Sequence, residues 1–181
     1  MPAKAKKVPE FFEKTGLYLG RFQPFHLGHL EVIREAAKQV KVLIIVIGSA
    51  QESHTKENPF TDEEREEMVT KSLYFNGFKN FSVIPVDDIN DDSQYVKHVE
   101  KHVPEFEIVF AAENALTAKL FGKVGYTIWK CPRFKDVSST KIRELMAKGD
   151  NAWKKMVPAQ VIESIESIDG VKRVQEIHEL I

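Results

Sequence analysis

Hydrophobic residues come along this chain in short continuous runs, separated by segments of helical period. Val42-Leu43-Ile44-Ile45-Val46-Ile47 is apolar at every position rather than at alternate ones, the pattern of a strand buried on both faces of a sheet. Before it, Leu30, Ile33, Ala37 and Val40 fall on one helical face, with Glu31, Arg34, Glu35 and Lys38 elsewhere. Earlier still, Leu17-Tyr18-Leu19-Gly20 reads as a short strand ending in glycine. The alternation continues downstream. Thr61-Asp62-Glu63-Glu64 has the form of a capping box that opens a helix to about Tyr74. Phe81 to Val86 predicts a strand, Ser93 to His102 a helix, Glu107 to Ala112 a strand, and a helix follows to about Phe121. Tyr126 to Lys130 predicts a fifth short strand, and from Ser139 onward the pattern is helical, punctuated by Asn151, Pro158 and Gly170. Strands alternating with helices predict right-handed crossovers and an α/β fold: an open parallel sheet of about five strands, helices on both faces, and a helical C-terminal segment.

At 181 residues the chain has room for one domain. Residues 16–181 are expected to form it, with the C-terminal helices starting at about 138. Residues 1–15, basic at Lys4, Lys6 and Lys7, are expected to be a flexible, solvated extension. The longest apolar run, Val42 to Ile47, is far shorter than the roughly 18 residues of a membrane span, and no signal-peptide core follows the lysines. A net charge of −1 gives no global reason to expect a nucleic-acid or membrane partner. Cys131 is the only cysteine, which excludes an intrachain disulfide and a cysteine-based zinc site and suits a reducing, cytoplasmic setting.

Ligands of open parallel sheets bind beyond the carboxyl ends of the strands, where strand order reverses. The loop after the first strand is therefore the first place to look for chemistry. It reads Gly20-Arg21-Phe22-Gln23-Pro24-Phe25-His26-Leu27-Gly28-His29. A helix N-terminus offers free N–H groups and partial positive charge to phosphate. His26 and His29, three apart, can point the same way, Gly28 removes a Cβ between them, and Arg21 adds a permanent cation. The loop lacks the Gly-Lys-Ser/Thr of a Walker A motif and the Gly-x-Gly-x-x-Gly of dinucleotide oxidoreductases. A second candidate is Ser138-Ser139-Thr140-Lys141-Ile142-Arg143, at the start of a helix. Its hydroxyls can cap the helix or donate to phosphate, and Thr140 and Arg143 share a face.

These two segments resemble the signatures of the His-x-Gly-His nucleotidyltransferase superfamily, which implies a Rossmann-like fold and nucleotidyl transfer with release of pyrophosphate. With Gly48-Ser49-Ala50-Gln51-Glu52-Ser53-His54-Thr55 and Asn58-Pro59-Phe60-Thr61, the sequence from about Leu17 onward looks like the archaeal type of nicotinamide-mononucleotide (NMN) adenylyltransferase. The resemblance implies adenylyl transfer from ATP to NMN, giving NAD and pyrophosphate, with Mg²⁺ held mainly by substrate phosphates and no protein ligand named for it. It also implies a homo-oligomer, hexamers being frequent in the family. His26, His29, Arg21 and Arg143 are the expected catalytic residues. Gly20, Phe22, Gln23, Gly28, Ser139 and Thr140 are expected at the nucleotide, Phe22 and Phe60 being read as packing rather than base-stacking rings. Ser53, His54, Tyr95 and Asn114 are expected at the acceptor.

The sequence departs from the family at four places. Ala112-Glu113-Asn114 stands for a Ser-Gly-Asn stretch, Tyr95 for an aromatic that is typically Trp, Ser139 for a more frequent Gly, and Glu57 for an Arg. These positions bear on the acceptor and on phosphate contacts. A sibling enzyme that uses phosphopantetheine, FMN or a phosphorylated alcohol with CTP is therefore a second reading, and a nucleotide-binding regulator without catalysis a third. The acidic run Asp87-Asp88-Ile89-Asn90-Asp91-Asp92 is read as a solvated loop.

Overall fold

The structure, a computed structural model, describes residues 13–111, 115–132 and 136–179. Strands β1 (Thr15–Gly20), β2 (Val42–Ile47), β3 (Phe81–Pro85), β4 (Ile108–Ala111) and β5 (Thr127–Lys130) form one sheet in the order β3-β2-β1-β4-β5. Every pairing is parallel. Helices α1 (Leu27–Ala37), α2 (Asp62–Phe75), α3 (Asp92–His102) and α4 (Ala115–Lys123) connect successive strands. Helix α5 (Ser139–Ala147), a short 3₁₀ helix (Asn151–Met156), α6 (Ala159–Ser167) and α7 (Gly170–Glu179) follow β5. This is the expected Rossmann-like arrangement.

The continuous apolar run now has its explanation. Leu43, Ile45 and Ile47 of β2 enter one core with Leu30 and Ile33 of α1, Met68 of α2 and Ile142 of α5. Ile44 and Val46 enter a second core with Val96 and Val99 of α3 and Phe121 of α4. Successive side chains of a strand point to opposite faces, so a strand covered on both sides must be apolar throughout. A charge at Ile45, which has no exposed surface, would lie in this core without water or a partner.

The first helix buries Val32 and Ala36 beside Leu30 and Ile33, whereas Ala37, expected on the buried face, is only half-buried. The helix stops at Ala37, so its period does not carry to Val40, which is buried from the loop beyond. Strand β1 starts at Thr15, paired with Val42, within the stretch expected as extension. Residues 1–12 lie outside the described residues. Strand order runs β1-β2-β3 in one direction and β1-β4-β5 in the other, so the reversal lies between β1 and β4, at the head of the candidate loop. Among the described residues, no helix is long and apolar enough to cross a membrane.

Candidate active site

The His26–His29 pair is a capping device. His26 is the N-cap of α1 and His29 its third residue. The backbone N–H of His29 donates to Nδ1 of His26, and the backbone N–H of His26 donates to Nδ1 of His29, both at 3.2 Å. Two histidines thus make the reciprocal box usually built from Ser/Thr and Glu, and their rings stack at 3.5 Å with a 16° tilt. Phe25 stacks on the far side of His29 at 5.7 Å, and Phe22 meets it edge-on at 4.9 Å.

This geometry fixes the tautomer. Burial pushes the His26 imidazole down to about 4, and burial together with the neighbouring His26 holds His29 well below its ordinary 6.5. Both rings are therefore neutral at pH 7. Each accepts at Nδ1, so its proton sits on Nε2, and both residues line the cleft. The reason for Gly28 differs from the one its sequence position suggests. A Cβ there would lie 3.0 Å from Cε1 of His26 and 3.1 Å from its Nδ1. The missing side chain leaves room for the His26 imidazole.

The second segment closes on the first. Ser138 caps α5 through its hydroxyl, which accepts from the N–H of Lys141 at 3.2 Å. Ser139 donates its hydroxyl proton to the carbonyl of Pro24 at 3.1 Å. Its hydroxyl proton is thereby committed to the loop before α1. Nη1 of Arg143 donates to the carbonyl of Gln23 at 2.8 Å. Burial and the nearby Arg21 lower the pKa of Arg143, against the pull of Glu57 and Glu144. Gly20, Arg21, Gly28, Thr140 and Arg143 all line the cleft with the two histidines.

Phe22 and Gln23 also line the cleft, with their side chains engaged by neighbouring groups. Gln23 is buried, its amide donating to the carbonyl of Phe60 at 2.8 Å and accepting from the N–H of Phe60 at 2.9 Å. With donor and acceptor both engaged, its side chain holds the loop before α2. The ring of Phe22 is 1% exposed and packs on Tyr18, Phe25 and His29, so it buttresses the His29 ring, the packing role expected for it. Phe60 is likewise buried.

Arg65 is a buried cation beside the site to which sequence reasoning gave no role. It is wholly buried in α2 and donates to six backbone carbonyls: Thr61, Arg21, Gly48, Ser49, Ala50 and Glu52. Burial brings its pKa down to about 10. The signal was present in the sequence: in an acidic helix start, the 3.6-residue period puts Arg65 on the stripe of Met68, Val69 and Ser72, all buried.

Of the acceptor candidates, Ser53, His54 and Tyr95 are not among the residues that line the cleft. Ser53 and His54 follow β2 and contact each other, Nδ1 to Oγ at 3.0 Å, with His54 exposed. Tyr95 of α3 is half-buried, its hydroxyl 3.9 Å from where a Cβ on Gly48 would be. Burial and the neighbouring Asp88 raise that phenol to about 12. Asn114 lies outside the described residues. In the acidic run, Asp91 caps α3 through Ser93, and Gln51 clasps the backbone of Asp88 with both ends of its amide, each at 2.9 Å.

The cleft has a volume of about 280 Å³ at the carboxyl ends of β1 and β4. Its lining divides into cations, imidazoles and hydroxyls on one hand, and Val32, Phe110, Ala111, Pro132 and Val137 on the other. The described lining holds no carboxylate. Among the described residues no group of three or more His, Cys, Asp or Glu is placed to hold a metal. A divalent cation fits this donor set only when carried on ligand phosphates and water.

Residues 17–145 match the family model described as cytidylyltransferase-like. A nicotinamide-nucleotide adenylyltransferase of Thermoplasma volcanium is 41% identical over 167 residues, 91% of this chain and 93% of that protein. Enzymes of the same name from Pyrococcus furiosus and Saccharolobus solfataricus are each 44% identical over 90% of this chain, covering 88% and 95% of their own lengths. In fold, the chain resembles a bifunctional NMN adenylyltransferase/ADP-ribose pyrophosphatase of Francisella tularensis, solved with AMP and a manganese ion. The TM-score is 0.71 at 22% identity, over 92% of this chain and 52% of that one. This chain thus spans about half of that bifunctional protein. By sequence over nearly its whole length, the chain belongs to the cytidylyltransferase-like family and, within it, to the nicotinamide-nucleotide adenylyltransferases.

Proposed function

We propose that this protein transfers AMP from ATP to nicotinamide mononucleotide, releasing pyrophosphate and forming NAD. One observation of the site carries the reading: two neutral imidazoles, locked by the same capping box, line a cleft that also receives Arg21 and Arg143. That set suits a polyphosphate whose charge shifts during reaction, and the kinship with nicotinamide-nucleotide adenylyltransferases supplies the acceptor.

An oxygen of the mononucleotide 5′-phosphate attacks the α-phosphorus of ATP. The new P–O bond forms as the bond from the α-phosphorus to the α,β-bridging oxygen breaks, and pyrophosphate leaves with that electron pair. The nucleophile is already an anion, so no general base and no covalent enzyme intermediate are needed. Catalysis then rests on positioning and on stabilising the charge that moves to the leaving group. The Nε2–H groups of His26 and His29 donate to phosphate oxygens, and Arg21 and Arg143 offset the growing charge. Gly20, Gly28 and the N-terminus of α5 at Ser139 and Thr140 provide close backbone approach. No side chain is assigned to Mg²⁺, which would be held by the ATP phosphates and water and would supply charge neutralisation there. The apolar wall of Phe110, Pro132 and Val137 suits the base. On the acceptor side, Ser53, His54, Tyr95 and Asn114 are the proposed contacts. A homo-oligomer is part of the same proposal and is read by sedimentation.

The test is turnover of Mg–ATP with a small acceptor panel, following pyrophosphate and the adenylylated product. NAD formation from nicotinamide mononucleotide is expected. Pyrophosphate release only with phosphopantetheine, FMN or, with CTP, a phosphorylated alcohol would replace the acceptor. ATP binding without release under any condition would make the protein a regulator.

A further inference from the structure

We propose that Arg65 is a positioning residue of the adenylyl transfer: its buried guanidinium ties the loops after β1 and β2 together and acts through Arg21. The inference rests on the reaction proposed above. Nη1 of Arg65 donates at 3.0 Å both to the carbonyl of Arg21, in the loop after β1, and to that of Gly48, at the end of β2. Nη2 takes the carbonyls of Ser49, Ala50 and Glu52, and Nε returns to Thr61, the N-cap of its own helix. All of these partners are carbonyls, with no carboxylate among them. A guanidinium presents five N–H donors in one planar fork, which a lysine cannot copy with three donors at one point.

The loops it joins carry unusual backbone. Phe22, next to Arg21, and Ser49 both sit at left-handed φ, 52° and 48°, conformations that persist in non-glycine residues only when the surroundings over-determine them. The N–H of Gly48 also donates to the carbonyl of Gly20 at 2.9 Å. The peptide that carries Arg21 is thereby held at both ends, by Gly48 and by Arg65. The exposed side chain of Arg21 starts from a fixed point and reaches the cleft as a placed cation. Arg65 itself does not line the cleft, so its effect on the reaction runs through what it holds.

The experiment compares the wild type with Arg65→Lys, Arg21→Ala and the double variant in steady-state adenylyl transfer, with thermal melts alongside. Arg65→Lys is expected to keep a folded protein, lose about 10²-fold in kcat, the scale of a misplacement near 1 Å, and hold KM for the mononucleotide within threefold. In the Arg21→Ala background the same change is expected to cost less than fivefold, because the group it places is gone. Losses that multiply across the double variant would overturn the proposal, as would an Arg65→Lys enzyme with kcat within twofold of wild type. Should the lysine variant melt below the assay temperature, Arg65→Ala with millimolar guanidinium ion decides. A rate regained per folded molecule supports positioning, and a rate that rises only with the folded fraction refutes it. A wild type that turns over a different acceptor removes the acceptor assignment and leaves the Arg65 comparison to be read on that acceptor.

Discussion

On the β1–α1 side of the site the candidate side chains bond to one another and to neighbouring backbone; on the β2–α3 side the backbone is held and the candidate side chains are more open to solvent. His26 and His29 cap each other, Phe22 and Phe25 pack the second ring, Ser139 reaches Pro24, and Arg143 reaches Gln23. After β2, His54 is exposed with Ser53 as its contact, and Tyr95 of α3 is half-buried at the edge of the second core. Under the proposed reaction, with the triphosphate on the first side and the acceptor on the second, the contrast follows the chemistry. Charge moves on the triphosphate during reaction, and donors stabilise a transition state best when they need no reorganisation. The acceptor is recognised mainly in its ground state, so its contacts set affinity more than rate.

The largest test of that contrast is His29→Ala. Loss of a preorganised donor to the leaving group is expected to lower kcat by about 10²–10³, with little change in KM for the mononucleotide. Near-normal turnover would remove His29 from the mechanism. Next comes Gly28→Ala. The added Cβ lies 3.0 Å from the His26 ring, so the ring must yield. A displacement below 1 Å is expected to cost roughly tenfold in kcat, with a melting temperature close to wild type, since alanine favours the helix over glycine. A rate unchanged in Gly28→Ala would show that His26 tolerates displacement and that the box is structural only.

On the other side, Tyr95→Ala is expected to raise KM for the mononucleotide by about 2–10-fold, the range of an aromatic contact worth roughly 0.5–1.5 kcal/mol, while kcat stays within threefold. If kcat fell as far as in His29→Ala, the two sides would not differ in kind, and Tyr95 would belong with the transition-state contacts.

The fold was legible because its signals are local. An unbroken apolar run such as Val42–Ile47 can be satisfied only between two layers, and the capping box at Thr61 marks the start of α2 within one residue. The histidine pair was legible for the same reason, since both partners lie in one helical turn. What stayed hidden depends on backbone carbonyls distant in sequence. Nothing in the letters says that Gln23 meets Phe60, 37 residues away, or that Arg65 gathers a carbonyl 44 residues away. A carbonyl exists at every position and leaves no trace in residue type. The sequence therefore put Gln23 at the nucleotide, whereas the geometry engages its amide with a neighbouring loop.

The smallest expected effect on rate comes from outside both sides. Arg173 of α7 grips Glu64 of α2 through two bonds, 2.6 and 2.8 Å, and also donates to the carbonyl of Pro59. The pair is largely buried, with side chains 20% and 17% exposed. Its removal by Arg173→Met is expected to cost about 1–2 kcal/mol, between the surface and buried limits, or roughly 2–8 °C in Tm, with kcat within twofold. The pH dependence has a definite sign. Burial raises the pKa of Glu64, but the bond from Arg173 and the Thr61 N–H outweigh it, leaving the carboxyl below its ordinary 4.5. The folded state therefore binds this proton less tightly than the unfolded chain. The stabilisation is complete above pH 4.5 and fades as pH falls through the depressed value. The stability gap between wild type and Arg173→Met, read from denaturant melts, is expected to stay constant from pH 8 to about 5.5 and to narrow below 4.5. A gap that is flat to pH 3 would mean that α7 holds α2 through packing rather than charge, and a fall in kcat matching that of His29→Ala would place this latch inside the catalytic framework.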